Sequence, residues 1–210
     1  AVLTVSSGEP VTLASTVWGA QVAGSGAISA ALPLANRLVH LQGPAPGDAL
    51  SGELTTVTGF IGAGGSNPLP TGLALAPDGS LFVAHFGSEP YRPGTGRIVH
   101  VAADGRWQPR FEGLNFPVAL AFAPDGQLYV LEFASGYDPR TGRFTPRSGR
   151  LLAIGPVTGR RRTIVRDIAY PTALAFSPTG DAYFTESGAF SAAGEGRILY
   201  VPAQTLQQGR

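Results

Sequence analysis

Three stretches of the chain repeat one arrangement of apolar and polar positions. They run from Pro70 to His85, from Pro117 to Glu132 and from Pro171 to Glu186. Each opens on an alternation of large and small residues: Leu73 and Leu75, Leu120 and Phe122, Leu174 and Phe176, with alanine between them. Period-two alternation predicts a β-strand, and the alanines would let such strands crowd around an axis. A tight turn follows at Asp78-Gly79, Asp125-Gly126 and Thr179-Gly180, where glycine supplies the positive φ that a hairpin needs. A second strand then carries an aromatic at one fixed place: Phe82, Tyr129 and Tyr183. After a longer loop, Gly-Arg opens a third strand at Gly96-Arg97, Gly149-Arg150 and Gly196-Arg197. A more polar fourth strand closes two of the units, from Trp107 to Phe111 and from Arg162 to Val165.

The first third of the chain carries the same trace in weaker form. Arg37 to Leu41 matches the third strand Arg97 to Val101, and Glu53 to Phe60 reads as a fourth strand. Residues 18–35 hold a degenerate inner pair, with Gly24-Ser25-Gly26 in place of Asp-Gly. Residues 10–17 resemble a fourth strand with no unit of its own, and the third regular unit lacks one after Val201. An N-terminal strand completing the last unit would remove a free edge. The expectation is an all-β chain of four-stranded antiparallel blades, a β-propeller. It has a closing strand at 10–17, a degenerate blade at 18–66, and blades at 67–114, 115–168 and 169–203. Four units leave open a place in a larger ring. The repeat spacing of 47 and then 54 residues fits blades.

Composition agrees with short buried strands and frequent turns. Charged residues make up only 14%, while 29 glycines and 18 prolines accompany a 43% hydrophobic content. A net charge of +1 gives nucleic acid no electrostatic support. Arg160-Arg161-Arg162 reads as the solvated end of a hairpin. With no cysteine there is neither a disulfide nor a thiolate metal site. Without methionine, Ala1 reads as a mature terminus left by signal-peptide cleavage or as the start of a fragment. The expected location is secreted or periplasmic. No apolar run is long enough to span a bilayer.

The pattern Pro-x-[Gly/Ala]-Leu-Ala-[Phe/Leu]-x-Pro-Asp-Gly-x-Leu-Tyr-Val-x-Glu, followed by Gly-Arg-[Ile/Leu], resembles the NHL and SMP-30-like propeller superfamily. It is closest in look to secreted proteins of the ScyD/ScyE type. Residues 67–201 carry the likeness well and residues 1–66 weakly. The resemblance implies blades and an exported protein. It does not imply an activity, since one fold hosts many functions.

In a propeller the loops near 85–96, 132–149 and 186–196 share one face with the links between blades. His85, Glu132 and Glu186 leave equivalent second strands and should converge near the mouth of the central channel. One imidazole and two carboxylates could hold a divalent cation such as calcium, or act as acid and base. Tyr91, Arg92, Tyr137, Asp138 and Arg140 decorate the same loops and would suit a sugar or another polar ring. The structural reading of the recurring acids is that they hold loop amides. Arg37, Arg97, Arg150 and Arg197 recur once per unit and should fork onto backbone carbonyls or carboxylates of an adjacent loop. His40 and His100 vary between units and read as surface or packing residues. Gly62-Ala63-Gly64-Gly65 lacks the lysine of a phosphate cradle and reads as a link. No nucleophile elbow is present.

Two functions follow. The first is an exported non-catalytic propeller, a binding or assembly module for a partner protein or envelope component, with no cofactor required. The second is a small-molecule enzyme of the propeller lactonase or sugar-dehydrogenase type. The lactonase resemblance implies a metal held by Glu, Asn and Asp, yet asparagine occurs only at 36, 67 and 115, none leaving a second strand. His85 with Arg92 and Arg140 is a thin match to a quinone-dependent dehydrogenase. The pattern favours the first.

Overall fold

The computed structural model describes residues 19–22, 27–41, 54–61 and 65–208. Strands β1 (Gly19–Val22), β2 (Ile28–Leu32), β3 (Arg37–Leu41) and β4 (Leu54–Gly59) form one antiparallel sheet in sequence order. Strands β5 (Pro70–Leu75), β6 (Leu81–His85), β7 (Gly96–Val101) and β8 (Trp107–Leu114) form the second. The third holds β9 (Pro117–Phe122), β10 (Leu128–Glu132), β13 (Gly149–Ile154) and β14 (Arg161–Ile168). A ribbon of β11 (Tyr137–Asp138) and β12 (Arg143–Phe144) rises from its long loop. The fourth sheet holds β15 (Leu174–Phe176), β16 (Ala182–Glu186) and β17 (Arg197–Val201), followed by helix α1 (Ala203–Gln207). These are the blades of a β-propeller, as the repeat predicts. The proposed closing strand at 10–17, the Gly24-Ser25-Gly26 turn and most of the 62–65 link lie outside the described residues.

The inner strands β1, β5, β9 and β15 line one channel of about 450 Å3. Small residues make this crowding possible. A Cβ added to Gly72 would lie 2.8 Å from the Ala119 Cα, and one on Gly19 would lie 2.5 Å from the Thr71 oxygen. Thr71, fully buried, ties neighbouring inner strands by donating to the Pro117 carbonyl at 2.9 Å.

The core lies between blades. Ala31, Leu38 and Phe60 of the first blade pack on Leu73, Val83 and Val99 of the second. Ala84, Ile98 and Phe111 of the second pack on Leu120, Val130 and Leu152 of the third. Leu131, Leu151 and Ile168 of the third pack on Ala182 and Phe184 of the fourth. The fixed second-strand aromatics join these contacts. Phe82 stands edge-on to Phe122 at 5.3 Å, and Tyr129 lies 4.9 Å from Phe176.

Three features exceed the repeat's prediction. The outer strands run longer, to Leu114 and Ile168. Pro109 is tolerated in β8 because an outer strand has a side that needs no donor. The arginine run is anchored rather than simply solvated. Arg161 Nη1 donates to the Gly113 carbonyl at 2.9 Å, and Arg162 donates to the Leu206 and Gln208 carbonyls at the end of α1. Asp181 Oδ1 accepts the Ala203 N–H at the other end of that helix, at 2.8 Å.

The glycines opening the third strands of the second and third blades, Gly96 and Gly149, are needed because a link passes over each. A Cβ on Gly96 would lie 2.3 Å from Pro117 Cδ and 2.8 Å from the Leu114 carbonyl oxygen. Gly96→Ala should therefore cost about 1–3 kcal/mol, as overpacking does. The expected readout is a lower urea midpoint at unchanged m-value.

Candidate binding site on the loop face

Each second strand ends opposite the arginine that begins the third. The register pairs Leu32 with Arg37, His85 with Arg97, Glu132 with Arg150 and Glu186 with Arg197. In the third blade, Glu132 is buried and its oxygens are shared out. Oε1 accepts the Asn115 N–H at 2.7 Å, and Oε2 accepts Arg150 Nε at 2.7 Å and also Nη2. The fourth blade repeats the device. Glu186 Oε1 accepts the Ala169 N–H at 3.2 Å, Oε2 accepts Arg197 Nη2, and Arg147 stands 3.8 Å away. Burial alone would raise the Glu186 carboxyl, but the Ala169 amide and Arg197, aided by Arg147, outweigh it and hold it below the usual carboxylate range. Both acids thus clamp the link entering their own blade.

The second blade breaks the rule in two places at once. The position of Asn115 and Ala169 is taken by Pro68, which has no N–H to offer. The carboxylate that would accept it is replaced by His85. Burial, helped by Arg97, pushes the His85 imidazole down to about 3. Its Nδ1 accepts Arg97 Nε at 3.3 Å, which places the ring proton on Nε2. That nitrogen is buried with no hydrogen-bond partner among the described residues. The ring packs edge-on against Phe60 at 4.5 Å and Trp107 at 5.6 Å, and Arg97 lies over Trp107.

His85, Glu132 and Glu186 are therefore equivalent but each is held by its own blade. Among the described residues no three His, Asp or Glu side chains group as cation ligands. A divalent ion at Glu132 or Glu186 would have to displace both a guanidinium and an amide, so these residues do not fit one. Arg150 and Arg197 do bond to carboxylates, but on the neighbouring strand of their own blade rather than on an adjacent loop, Arg150 through Nε and Nη2 and Arg197 through Nη2 alone.

What the loop face does assemble is an aromatic cavity of about 730 Å3. Its walls are Phe86, Tyr91, Phe133, Tyr137, Phe144 and Phe190, and its floor is made by the starts of inner strands, including Leu69, Val118 and Ala173. Among the described residues no charged side chain lines it. The rings meet edge to face: Tyr91 on Tyr137 at 5.2 Å, Phe86 on Phe144 at 5.7 Å, Phe133 on Phe144 at 5.2 Å. Phe116 lies beneath and contacts Phe144 at 5.1 Å. Burial, with Glu89 and Tyr137 adding, raises the Tyr91 phenol, so it remains a protonated donor. Of the loop residues singled out in the sequence, Tyr91 and Tyr137 line this cavity. Arg92 is exposed, and Asp138 faces Arg140 at 3.6 Å in the turn of the β11–β12 ribbon. The charges expected beside the aromatics are thus turned outward.

Sequence reading missed the phenylalanines. One signal was available: Phe86 and Phe133 each follow the conspicuous second-strand end, and Phe116 and Tyr170 each precede a repeat proline. Phe116 and Tyr170 hold left-handed backbone there, with φ of 51° and 42°. Phe144 sits on a ribbon of the third blade alone, and Phe190 falls where the equivalent loops carry Pro90 and Arg143, so repetition could not flag them.

No protein-family model matches the chain, and no curated protein matches its sequence. Solved structures do match. A chain of the nidogen/laminin complex is similar at TM-score 0.64 and 18% identity, over 94% of this chain and 64% of that one. The likeness is one of fold. A gluconolactonase from Xanthomonas campestris matches at TM-score 0.62 and 16% identity, over 89% of this chain and 58% of that one. A calcium-binding regucalcin from Agrobacterium tumefaciens matches at TM-score 0.59 and 17% identity, over 92% and 57%. This propeller therefore spans between 57% and 64% of the length of these structures. Among the described residues no helix is long and apolar enough to cross a membrane.

Two outcomes are expected. Glu132→Ala strands Arg150 and the Asn115 amide and should cost about 3 kcal/mol, toward the low end for a broken buried pair because Arg150 keeps some solvent. Chemical denaturation reads it. His85 titrates far lower folded than unfolded, so its contribution is complete above its unfolded value of about 6.5 and is lost as pH falls toward 3. His85→Leu, the arrangement the first blade uses, should flatten the fall of the urea midpoint between pH 7 and pH 4.

Proposed function

We propose that this chain is an exported, non-catalytic binding module whose loop-face cavity receives a neutral, ring-bearing group of a partner protein or envelope component. The observation that carries this reading is the lining of the cavity: among the described residues, aromatic and aliphatic side chains with no charge among them. Concave sites of this size with mostly apolar walls bind by burying ligand surface, and a few polar groups orient what enters. Here the polar groups are the Tyr91 and Tyr137 phenols and Thr172, whose hydroxyl already shares a hydrogen bond with Thr185 at 2.9 Å. A sugar would require more polar partners than these. A cation would find ring faces but no countercharge.

The enzyme alternative asks for a base or a metal at the channel mouth. Glu132 and Glu186 are engaged by arginines and amides, and His85, held near 3, is a weak base. The similarity to a gluconolactonase and to a calcium-binding regucalcin is a similarity of scaffold, and the residues here lend it no catalytic support. The similarity to a chain from a protein–protein complex is compatible with a binding role.

N-phenyl-1-naphthylamine, a neutral fluorescent ring compound, probes the cavity directly. Saturable one-site binding is expected. Phe190→Ser removes a ring that is 77% exposed, so the fold should be unharmed. The variant should bind about fivefold more weakly, which corresponds to roughly 1 kcal/mol of ring contact. Absence of saturation, or binding indifferent to both Phe190→Ser and Tyr137→Ala, would overturn the proposal. Calorimetric titration with calcium should show no site, whereas an ion lost in Glu132→Gln would restore the enzyme reading.

A further inference from the structure

The second and third blades are each complete at four strands, and β8 and β14 are their outer strands. The two edges are built on one plan. Each hairpin closes on a bonded pair: the Ala102 N–H donates to the Arg106 carbonyl and the Gly155 N–H to the Arg160 carbonyl, both at 2.8 Å. Bonded and unbonded pairs alternate along an antiparallel ladder, so the third pair onward is unbonded and its outer residue turns N–H and C=O away from the sheet. That residue is Pro109 in β8, opposite Val99, and Thr163 in β14, opposite Leu152. Pro109 has no N–H to present, which blunts the edge of the second blade. Thr163 keeps its outward N–H, and no proline interrupts the eight residues of β14.

The open edge is also the charged one. Residues 160–168 hold four arginines against one aspartate. Arg161 reaches toward the second blade and donates to the Glu112 and Gly113 carbonyls, whereas its neighbour Arg162 reaches toward the fourth and donates to the Leu206 and Gln208 carbonyls. Carbonyls orient these guanidinium groups without neutralising them, and the two stand on either side of the edge. Arg160 and Arg166 are exposed. Among the described residues none of the four pairs with a carboxylate, while Arg106, Arg140, Arg150 and Arg197 each do.

We propose that β14 is a docking edge for an extended acidic segment of a partner protein, which adds to the third blade as a fifth strand. Backbone bonds to the outward groups of Arg161 and Thr163 supply affinity that is blind to sequence. The arginines supply the selection, since forked guanidinium groups favour carboxylates. The same charges deter the edge from pairing with itself, because a second copy would set arginine against arginine. One feature thus discourages self-association and admits an acidic strand, as specific interfaces commonly combine the two. The edge shares no residue with the aromatic cavity, so either proposal can fail without the other.

A blocked, fluorescein-labelled peptide of alternating glutamate and valine, about seven residues long, tests it by anisotropy. Saturable binding that weakens with added salt is expected. Thr163→Pro copies the proline that β8 already tolerates, and should weaken binding about tenfold by removing the outward donor. Arg166→Glu changes an exposed side chain and should weaken it about fivefold. Should Thr163→Pro fail to fold, the unaltered protein still decides: a peptide of equal charge with proline in place of valine cannot pair, and should bind about tenfold more weakly. On binding the valine peptide, the Thr163 amide should exchange with solvent about tenfold more slowly. The inference is overturned by absence of saturation, or by equal binding of the two peptides with Thr163 exchange unchanged. Capture of phosphatidylglycerol vesicles through Arg166, with no peptide binding, would overturn it in favour of a lipid surface.

Discussion

Burial between blades is the constraint on which the molecule depends, because each sheet has two apolar faces and can cover neither by itself. Val83 and Val99 need Leu38 behind them, and Ile98 and Ala84 need Leu120 and Leu128 in front. Fully burying one such side chain contributes about 1.5–3 kcal/mol, so a junction built from five or more of them outweighs any single polar contact in the structure. The same requirement explains the glycines and alanines at the axis. Sheets can meet face to face only if their inner strands approach closely, and the Gly72–Ala119 approach leaves no room for a methyl group.

The polar links are subordinate to that packing, and their pattern shows it. Where a link offers an N–H, at Asn115 and Ala169, a buried glutamate accepts it and an arginine balances the glutamate. Where the link offers none, at Pro68, the glutamate is gone and a neutral histidine occupies its place among Phe60 and Trp107. A buried carboxylate at position 85 would have one partner fewer, and an under-satisfied buried charge is costly. Acid and amide therefore behave as one unit, retained or replaced together, while the arginine stays in place at Arg97 and Arg37. Their recurrence reflects blade construction, which is why they made poor candidates for chemistry.

This contrast also explains what could be read from the sequence. The strands, turns and third-strand arginines were legible because they recur: Leu73, Leu120 and Leu174 answer one packing demand at equal intervals. The boundaries of β8 and β14 were less so, because outer strands are half solvated and their polar residues obey no strict alternation. Helix α1 and the β11–β12 ribbon follow no repeat and had no signal. Convergence of His85, Glu132 and Glu186 was inferred from equivalence by repeat. Equivalence, however, places residues at the same spot in different blades, and each one met its own arginine first. The cavity lay in the residues just beyond, Phe86 and Phe133, and in loop rings unique to single blades.

A site assembled from unlike loops on like blades is a natural outcome of this architecture. The repeat must keep its strands alike to preserve the junctions, so variation collects in the connectors. Here the connectors have diverged toward rings rather than toward acids and bases. Phe144 arrives on a two-stranded ribbon, Phe190 on the loop of the fourth blade, and Tyr91 on that of the second, and all three close on the same space. Edge-to-face contacts hold these rings against one another without any ligand. The walls are consequently formed in advance, and a ligand entering them loses little to ordering the protein, the condition under which an apolar pocket binds well.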